Sequence, residues 1–414
     1  MFYNSIVNGA RNGYGCNCAC PNSNIFAILI LLSILCISCK NTDTGIIAVR
    51  TPSGSGHLIT LDYSKLKVQE DTLILPLSKF VENIEVIKLE SSREAMTSTD
   101  IVFVSDNYIL TYSFVQNIGC KLFKRNNGKY LRDISSRGRG PFEYTELYDV
   151  IMDESQGIFL LPWNSKSILQ FDFEGKPVRE IPLAYEVNKG LFELTKENTF
   201  IITIAPFRDM VDKFIWEQDF DGNVIHSVDA EPFFVHPDYG TELKQSYDNT
   251  STSTFIFNFL SENDYIFHYD IKSGEIYPEF TVDYHDSEFD RDRIYYSTQD
   301  YYFGYFIDWE RTPYYTAVWR DFFYVEKETL RGGYYKMVND LFANLHIKHF
   351  NIRNNFYIGN YYPELLKDEI NSYLSRTKQY EDYHQKRELE KFAAGLRRGG
   401  NNIIIIGKVK SEAL

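Results

Sequence analysis

Past its first forty residues this chain has almost no cysteine: only Cys120 remains, so no framework of intrachain disulfides can hold the body together. Positive charge is also short. The 414 residues carry 43 Lys and Arg against 57 Asp and Glu, a net charge of −14, and no basic cluster, which excludes nucleic acid as a partner. Several chemical signatures are missing. There is no G-x-x-x-x-G-K-[ST] loop, no G-x-S-x-G elbow and no H-E-x-x-H pair, so phosphate cradling, serine hydrolysis and helical zinc sites lose their usual carriers. Histidine numbers only 8, and His346 and His349 fall three apart on a predicted strand, where they point to opposite faces. The acidic run Asp286–Arg293 lacks the D-x-[DN]-x-[DN]-G order, so calcium there is an option without a motif and no cofactor is expected. Methionine numbers only 5, against 31 Tyr and 31 Phe. That aromatic load favours strands and supplies material for a large core.

The one strongly apolar run, Ile25–Ile37, is short for a bilayer span and suits the core of an export signal. It ends in "CISCKN", where Ser38 precedes Cys39. This arrangement resembles bacterial lipoprotein signals, and the resemblance implies a lipid on Cys39 as the mature N-terminus. The expectation is a leader over 1–39, a polar tether over 40–57 and a body over 58–414 in the cell envelope, with the membrane as partner through the lipid. The early "CNCAC" lies within the leader and has no later Cys or His cluster to complete a metal site.

The body repeats. "KLFKRNNGKYLRDI", "LQFDFEGKPVREI", "WEQDFDGNVIHSV" and "FHYDIKSGEIYPEF" each read as strand, polar glycine turn, strand. Their turn glycines, Gly128, Gly175, Gly222 and Gly274, lie 47, 47 and 52 residues apart, a spacing of four-stranded propeller blades. A degenerate fifth copy is "FFYVEKETLRGGYYKMV". With two further short strands before each hairpin, the blades fall near Ile101–Ser135, Leu147–Leu183, Leu191–Asp229, Gln245–Tyr284 and Gly304–Val338. A sixth begins at "LHIKHFNIRNNFYIGNY", takes "NIIIIGKVK" late, and needs one more strand, which the N-terminal "VENIEVIKLE" can supply. The predicted fold class is all-β: a six-bladed propeller closed by strands from both termini. The stretch 363–398 breaks the pattern. Leu366, Ile370, Tyr373 and Leu374 recur at helical spacing, Pro363 suits a first turn and Gly399 a stop, which predicts a helical insertion in the last blade.

Three stretches carry a family resemblance: "LSKFVENIEVIKLESS", "GRGPFEYTEL" and the late helix followed by an apolar strand. With these the chain resembles the six-bladed β-propeller lipoproteins of Bacteroidota. The resemblance implies export, a lipid anchor and a propeller, and implies little about activity. Phe142 stands where that family's signature has glycine, which predicts a looser turn.

For function, the D–A and B–C connections of a propeller gather on one face. Four fall together on this reading: Arg137–Tyr144, Pro162–Lys166, Pro206–Asp212 and Ala230–Lys244. Arg137, Arg139, Tyr144, Trp163 and Arg208 are the candidate ligand-binding residues, because arginine forks suit carboxylates and Trp suits sugar faces. Arg139 could instead brace the corner or pair with Glu143. The expected role is a ligand-binding or protein-interaction module for a glycan, a peptide or an envelope protein. The alternative is a metal-dependent lactonase- or lyase-like propeller enzyme, with Asp149, Glu193 and His349 reaching into the central channel from "LYDVIMD", "LFELT" and "LHIKHF".

Overall fold

The computed structural model describes residues 45–68, 72–97, 101–113, 119–238, 240–247, 250–258, 264–285, 292–311, 315–348, 350–376 and 383–410. Cys39 and the leader lie outside them, as do His349 and most of the 286–293 run. Six blades follow one another along the chain, each an antiparallel four-stranded sheet with its first strand (A) innermost and its fourth (D) toward the rim; the fourth strands of blades 4 and 5 carry further strands on their outer side. Blades 1 to 4 start with Ile101–Val104, Leu147–Asp153, Gly190–Leu194 and Glu242–Tyr247. Blade 5 starts with Asp292–Ser297, and blade 6 with the two-residue strand Ile352–Arg353.

Burial peaks in the middle strands of the blades, because the innermost strands face the channel and the outermost face solvent. In blade 2 the strand Gly157–Pro162 is buried at every position, because a neighbouring blade covers each of its faces. Its outer strand Pro177–Val187 leaves most residues exposed or half-buried. The last blade is closed by the N-terminal segment: Val81–Lys88 pairs antiparallel with Ile403–Val409, which pairs with Phe356–Tyr361. The seam of the ring is thus closed by backbone pairing between segments far apart in sequence.

The four turn glycines all have positive φ, from 67° to 84°. Each also abuts the D strand of the preceding blade. A Cβ on Gly128 would stand 2.2 Å from the Lys88 carbonyl oxygen, and Gly222 approaches Pro182 the same way at 3.1 Å. The repeat in the sequence is thus a repeat of blade-to-blade contacts, which needs left-handed backbone and no side chain at one position.

Three expectations are corrected. Residues 45–57 are not free tether where described. Ala48–Ser53 and Gly56–Asp62 form a hairpin whose second strand runs parallel to the outer strand of blade 4. Blade 5 does not begin at Gly304: its inner strand is the polar-looking Asp292–Ser297, and Tyr301–Arg311 follows it. Leu345–Ile347 is not an innermost strand but pairs with the outer strand of blade 5. The insertion forms two helices, Pro363–Arg376 and Tyr383–Ala394. Leu366, Ile370, Leu389 and Ala393 bury against Leu345 and Ile347, so the helices lie down on the molecule.

The two faces differ. On the A–B and C–D face the connections are short turns such as Asp172–Lys176. On the D–A and B–C face lie the 135–146 loop, the long hairpin formed by Tyr301–Arg311 and Tyr315–Glu326, and both helices.

Candidate functional site

The rim loop on that elaborated face is built as a corner. Arg137 and Tyr144 form a parallel bridge, and Gly138 N–H donates to the Tyr144 carbonyl at 2.9 Å. Arg137 Nε donates to the Thr145 carbonyl, and its Nη2 lies 3.2 Å from Glu146 Oε1. Tyr144 is 3% exposed, its hydroxyl accepting from Cys120 N–H at 3.1 Å. It is therefore a buried anchor of the corner, its hydroxyl being the cap for a backbone donor on the third strand of blade 1, while the residue borders the rim pocket. Phe142 keeps the left-handed conformation of the missing glycine, with φ 58°, and its ring packs edge-on against Phe171. The loop thus keeps a left-handed turn at this position without glycine.

Glu143 does not wait for Arg139. It accepts from Gly140 N–H at 2.7 Å and from Ser136 Oγ at 3.1 Å, bonds that hold its carboxyl below the usual range. Arg139 is exposed and makes no side-chain hydrogen bond or ion pair among the described residues. With Trp163 it lines a shallow pocket of about 260 Å³ at the junction of blades 1 and 2. Arg208 lies in the B–C loop of blade 3 on the same face, outside that pocket.

The larger cavity, about 1140 Å³, runs along the axis. Its lining extends from Tyr361 and helix residue Glu369 on the elaborated face to Asn354, Asn355 and Gln299 at the turns of the other. Here the inner strands bring charge together. Arg353 Nη1 and Nη2 donate to Asp149 Oδ1 and Oδ2 at 2.8 and 3.0 Å, a fork joining blade 6 to blade 2. Asp149 is 0% exposed and accepts also from Val150 N–H at 2.9 Å and Phe192 N–H at 3.3 Å. The guanidinium lies 4.9 Å from the centre of the Phe103 ring of blade 1. Opposing burial, the carboxylates of Asp149 and Glu193 raise the pKa of Arg353.

Glu193, from the inner strand of blade 3, does line the channel, as the sequence suggested. Its side chain makes no hydrogen bond among the described residues. Enclosure by protein pushes its carboxyl up to about 7; Arg353 pulls against this and Asp149 adds to it. Lys244, from the inner strand of blade 4, is reached by channel water yet ringed by protein, which pushes its ammonium pKa down. It too makes no side-chain hydrogen bond or ion pair among the described residues. At the wall between blades 4 and 5, Glu279 meets His268 at 3.4 Å, and Lys327 donates to Ser297 Oγ at 2.8 Å.

Among the described residues no group of three His, Cys, Asp or Glu side chains is placed to hold a metal ion. Asp149, expected as a possible metal donor, already gives both oxygens to Arg353, so a cation is built into that position. Arg353 and Lys244 were missed in the sequence. A signal existed for the first: Asn354 and Asn355 both have positive φ, and the "NN" after "NIR" marks the tight turn that makes Ile352–Arg353 an inner strand.

The fold and its axial cavity define a six-bladed β-propeller. The chain belongs to the family described as a domain of unknown function, DUF4934, whose profile matches residues 58–408. No curated protein matches the sequence. Among solved structures, a Bacteroides fragilis protein described as a candidate exported protein aligns at TM-score 0.51 and 12% identity, over 82% of this chain and 99% of its own. BamB from Moraxella catarrhalis aligns at TM-score 0.35 and 11% identity, over 60% of this chain and 66% of its own. The first likeness supports the fold.

Proposed function

We propose that this protein is an exported, lipid-anchored binding module of the cell envelope, and that its ligand enters the axial channel from the face bearing the long loops and helices. The observation that carries this reading is the channel itself. It is a cavity of about 1140 Å³ whose wall takes charged side chains from the inner strands of several blades, among them Glu193 and Lys244, whose side chains make no hydrogen bond or ion pair among the described residues. Preformed concave sites with a few convergent polar groups are where small ligands bind. The glycan or peptide nature of the ligand follows from the resemblance to envelope propellers. The Arg139–Trp163 pocket on the same face serves as an outer contact, for a longer glycan or peptide or for an envelope protein. Export is supported by the Ile25–Ile37 signal-like run, and the anchor by Ser38–Cys39.

The test is a calorimetric and thermal-shift screen of oligosaccharides and short peptides. It uses the wild-type body and two variants, Ser246→Trp, which fills the channel from its wall, and Arg139→Ala/Trp163→Ala at the rim. A ligand that stabilises the wild type is expected to be lost in the first variant and weakened in the second. Undiminished binding to Ser246→Trp overturns the channel as the site. For the anchor, Cys39→Ala is expected to release the protein from membranes, and continued membrane retention overturns lipidation.

A further inference from the structure

Two other cations among the described residues lining the cavity are engaged. Arg353 is forked onto Asp149, and Lys327 donates to Ser297 Oγ beside Glu279. Lys244 is not matched. The carboxylate whose charge it feels, Glu242, is already engaged, accepting from Tyr148 Oη at 2.8 Å and pairing with Lys189 at 3.3 Å. Glu193 on the neighbouring inner strand is turned toward the Arg353–Asp149 pair, whose charges act on it. Lys196 and Lys348, both exposed, stand at opposite ends of the cavity. A chain with a net charge of −14 therefore presents unneutralised ammonium groups along its axis. Lys244 faces channel water from the cavity wall, and an anion that displaces that water gives its ammonium a charged partner.

We propose that Lys244 is the anchoring residue for a ligand carboxylate inside the channel. This deepens the binding function proposed above and rests on it. The guest is an organic acid small enough for the axial cavity, with its carboxylate on Lys244 and its remaining polar groups toward Glu193 and Arg353. A uronic sugar and an acidic amino-acid side chain offer the same carboxylate, so the chemistry is shared and the source is decided by experiment.

The probes are glucuronate against glucuronamide, and N-acetylglutamate against N-acetylglutamine, each pair differing only in the charge of one group. Titration calorimetry on the folded body is expected to show each binding acid at least about tenfold tighter than its amide, the scale of one charge-assisted contact. Lys244→Met is expected to bring the acid down to the level of the amide without lowering thermal stability, and Lys244→Arg to keep most of the preference. Raising the salt from 50 to 500 mM should weaken the acid and leave the amide unmoved. A lysine-reactive reagent provides a second readout: modification of Lys244, mapped by peptide mass, should be suppressed by the binding acid. If glucuronate alone binds, the source is a sugar; if N-acetylglutamate alone, a peptide. Equal binding of acid and amide, an unchanged Lys244→Met variant, or no binding by any probe at millimolar concentration overturns the proposal. A neutral ligand that Ser246→Trp excludes but Lys244→Met does not would overturn it while leaving the channel as the binding site.

Discussion

Arg353 and Asp149 lie 204 residues apart and meet across the axis through two hydrogen bonds of 2.8 and 3.0 Å. The pair ties the last blade to the second through the middle of the ring, where no backbone pairing reaches. Removing one member leaves an uncompensated charge in a poorly solvated place. Arg353→Met is expected to destabilise the protein by about 3–5 kcal/mol, the usual cost of breaking a buried pair from one side. Adding Asp149→Asn should recover part of that loss, because the orphaned charge is removed. Urea unfolding of the two variants reads this directly. A loss under about 1 kcal/mol for Arg353→Met would show that the fork is incidental.

Glu193 makes the channel sensitive to pH. Its carboxyl is pushed up to about 7, first by burial. A raised carboxyl binds its proton more tightly in the folded state, so its effect favours folding at low pH. Stability contributed by the protonated form is fully present below about pH 4.5, is lost as pH rises towards 7, and changes no further above that. Glu193→Gln removes the titration. It should gain about 2–3 kcal/mol over wild type at pH 8, an upper figure because channel water partly solvates the group. It should gain nothing at pH 4. Thermal melts at the two values test it, and an equal gain at both would mean that the residue acts by packing.

The repeat was legible because it is written in backbone requirements. Gly128, Gly175, Gly222 and Gly274 each need positive φ and an empty Cβ position, so evolution has few ways to blur them. The closing strand Val81–Lys88 and the helices were legible from alternation and helical spacing for the same reason. Blade 5 was not. Its inner strand begins Asp292–Arg293, polar residues that read as loop, yet Arg293 is held inward by Asp264 at 2.8 Å. The axis was legible in part. Asp149 and Glu193 could be placed on inner strands, but alternation does not say which partner waits on the far side, and Arg353 comes from a strand of two residues. The bracing role of Tyr144 was not legible, because nothing in a glycine-rich loop says that its hydroxyl caps Cys120 N–H.

The turn glycines allow a ranked prediction. All four should resist substitution through φ alone, but the space differs. At Gly128 an added Cβ would meet the Lys88 carbonyl oxygen at 2.2 Å, so a backbone contact between blades 6 and 1 must open. At Gly222 the contact with the Pro182 carbonyl oxygen is 3.1 Å, which a small shift relieves. Gly128→Ala is expected to cost more than Gly222→Ala, roughly 3 against 1 kcal/mol or a little more. Thermal unfolding of the two single variants decides it. A reversed order would mean that the blade interface is softer at the ring's closing seam than between blades 2 and 3.

The rim loop separates bracing from binding within a few residues. Tyr144→Phe leaves the ring in place and removes one hydroxyl, so Cys120 N–H, buried in an inner position, loses its acceptor. The expected cost is about 1–2 kcal/mol of stability. Arg139→Ala removes an exposed side chain that nothing in the described protein holds, and its stability cost should stay within about 0.5 kcal/mol. Denaturation curves for the two variants therefore diverge if the corner is built as described. A destabilised Arg139→Ala would make this arginine part of the brace and withdraw it from any ligand surface. A neutral Tyr144→Phe would mean that water caps the Cys120 donor instead, leaving the ring's packing against Tyr112 as the anchor.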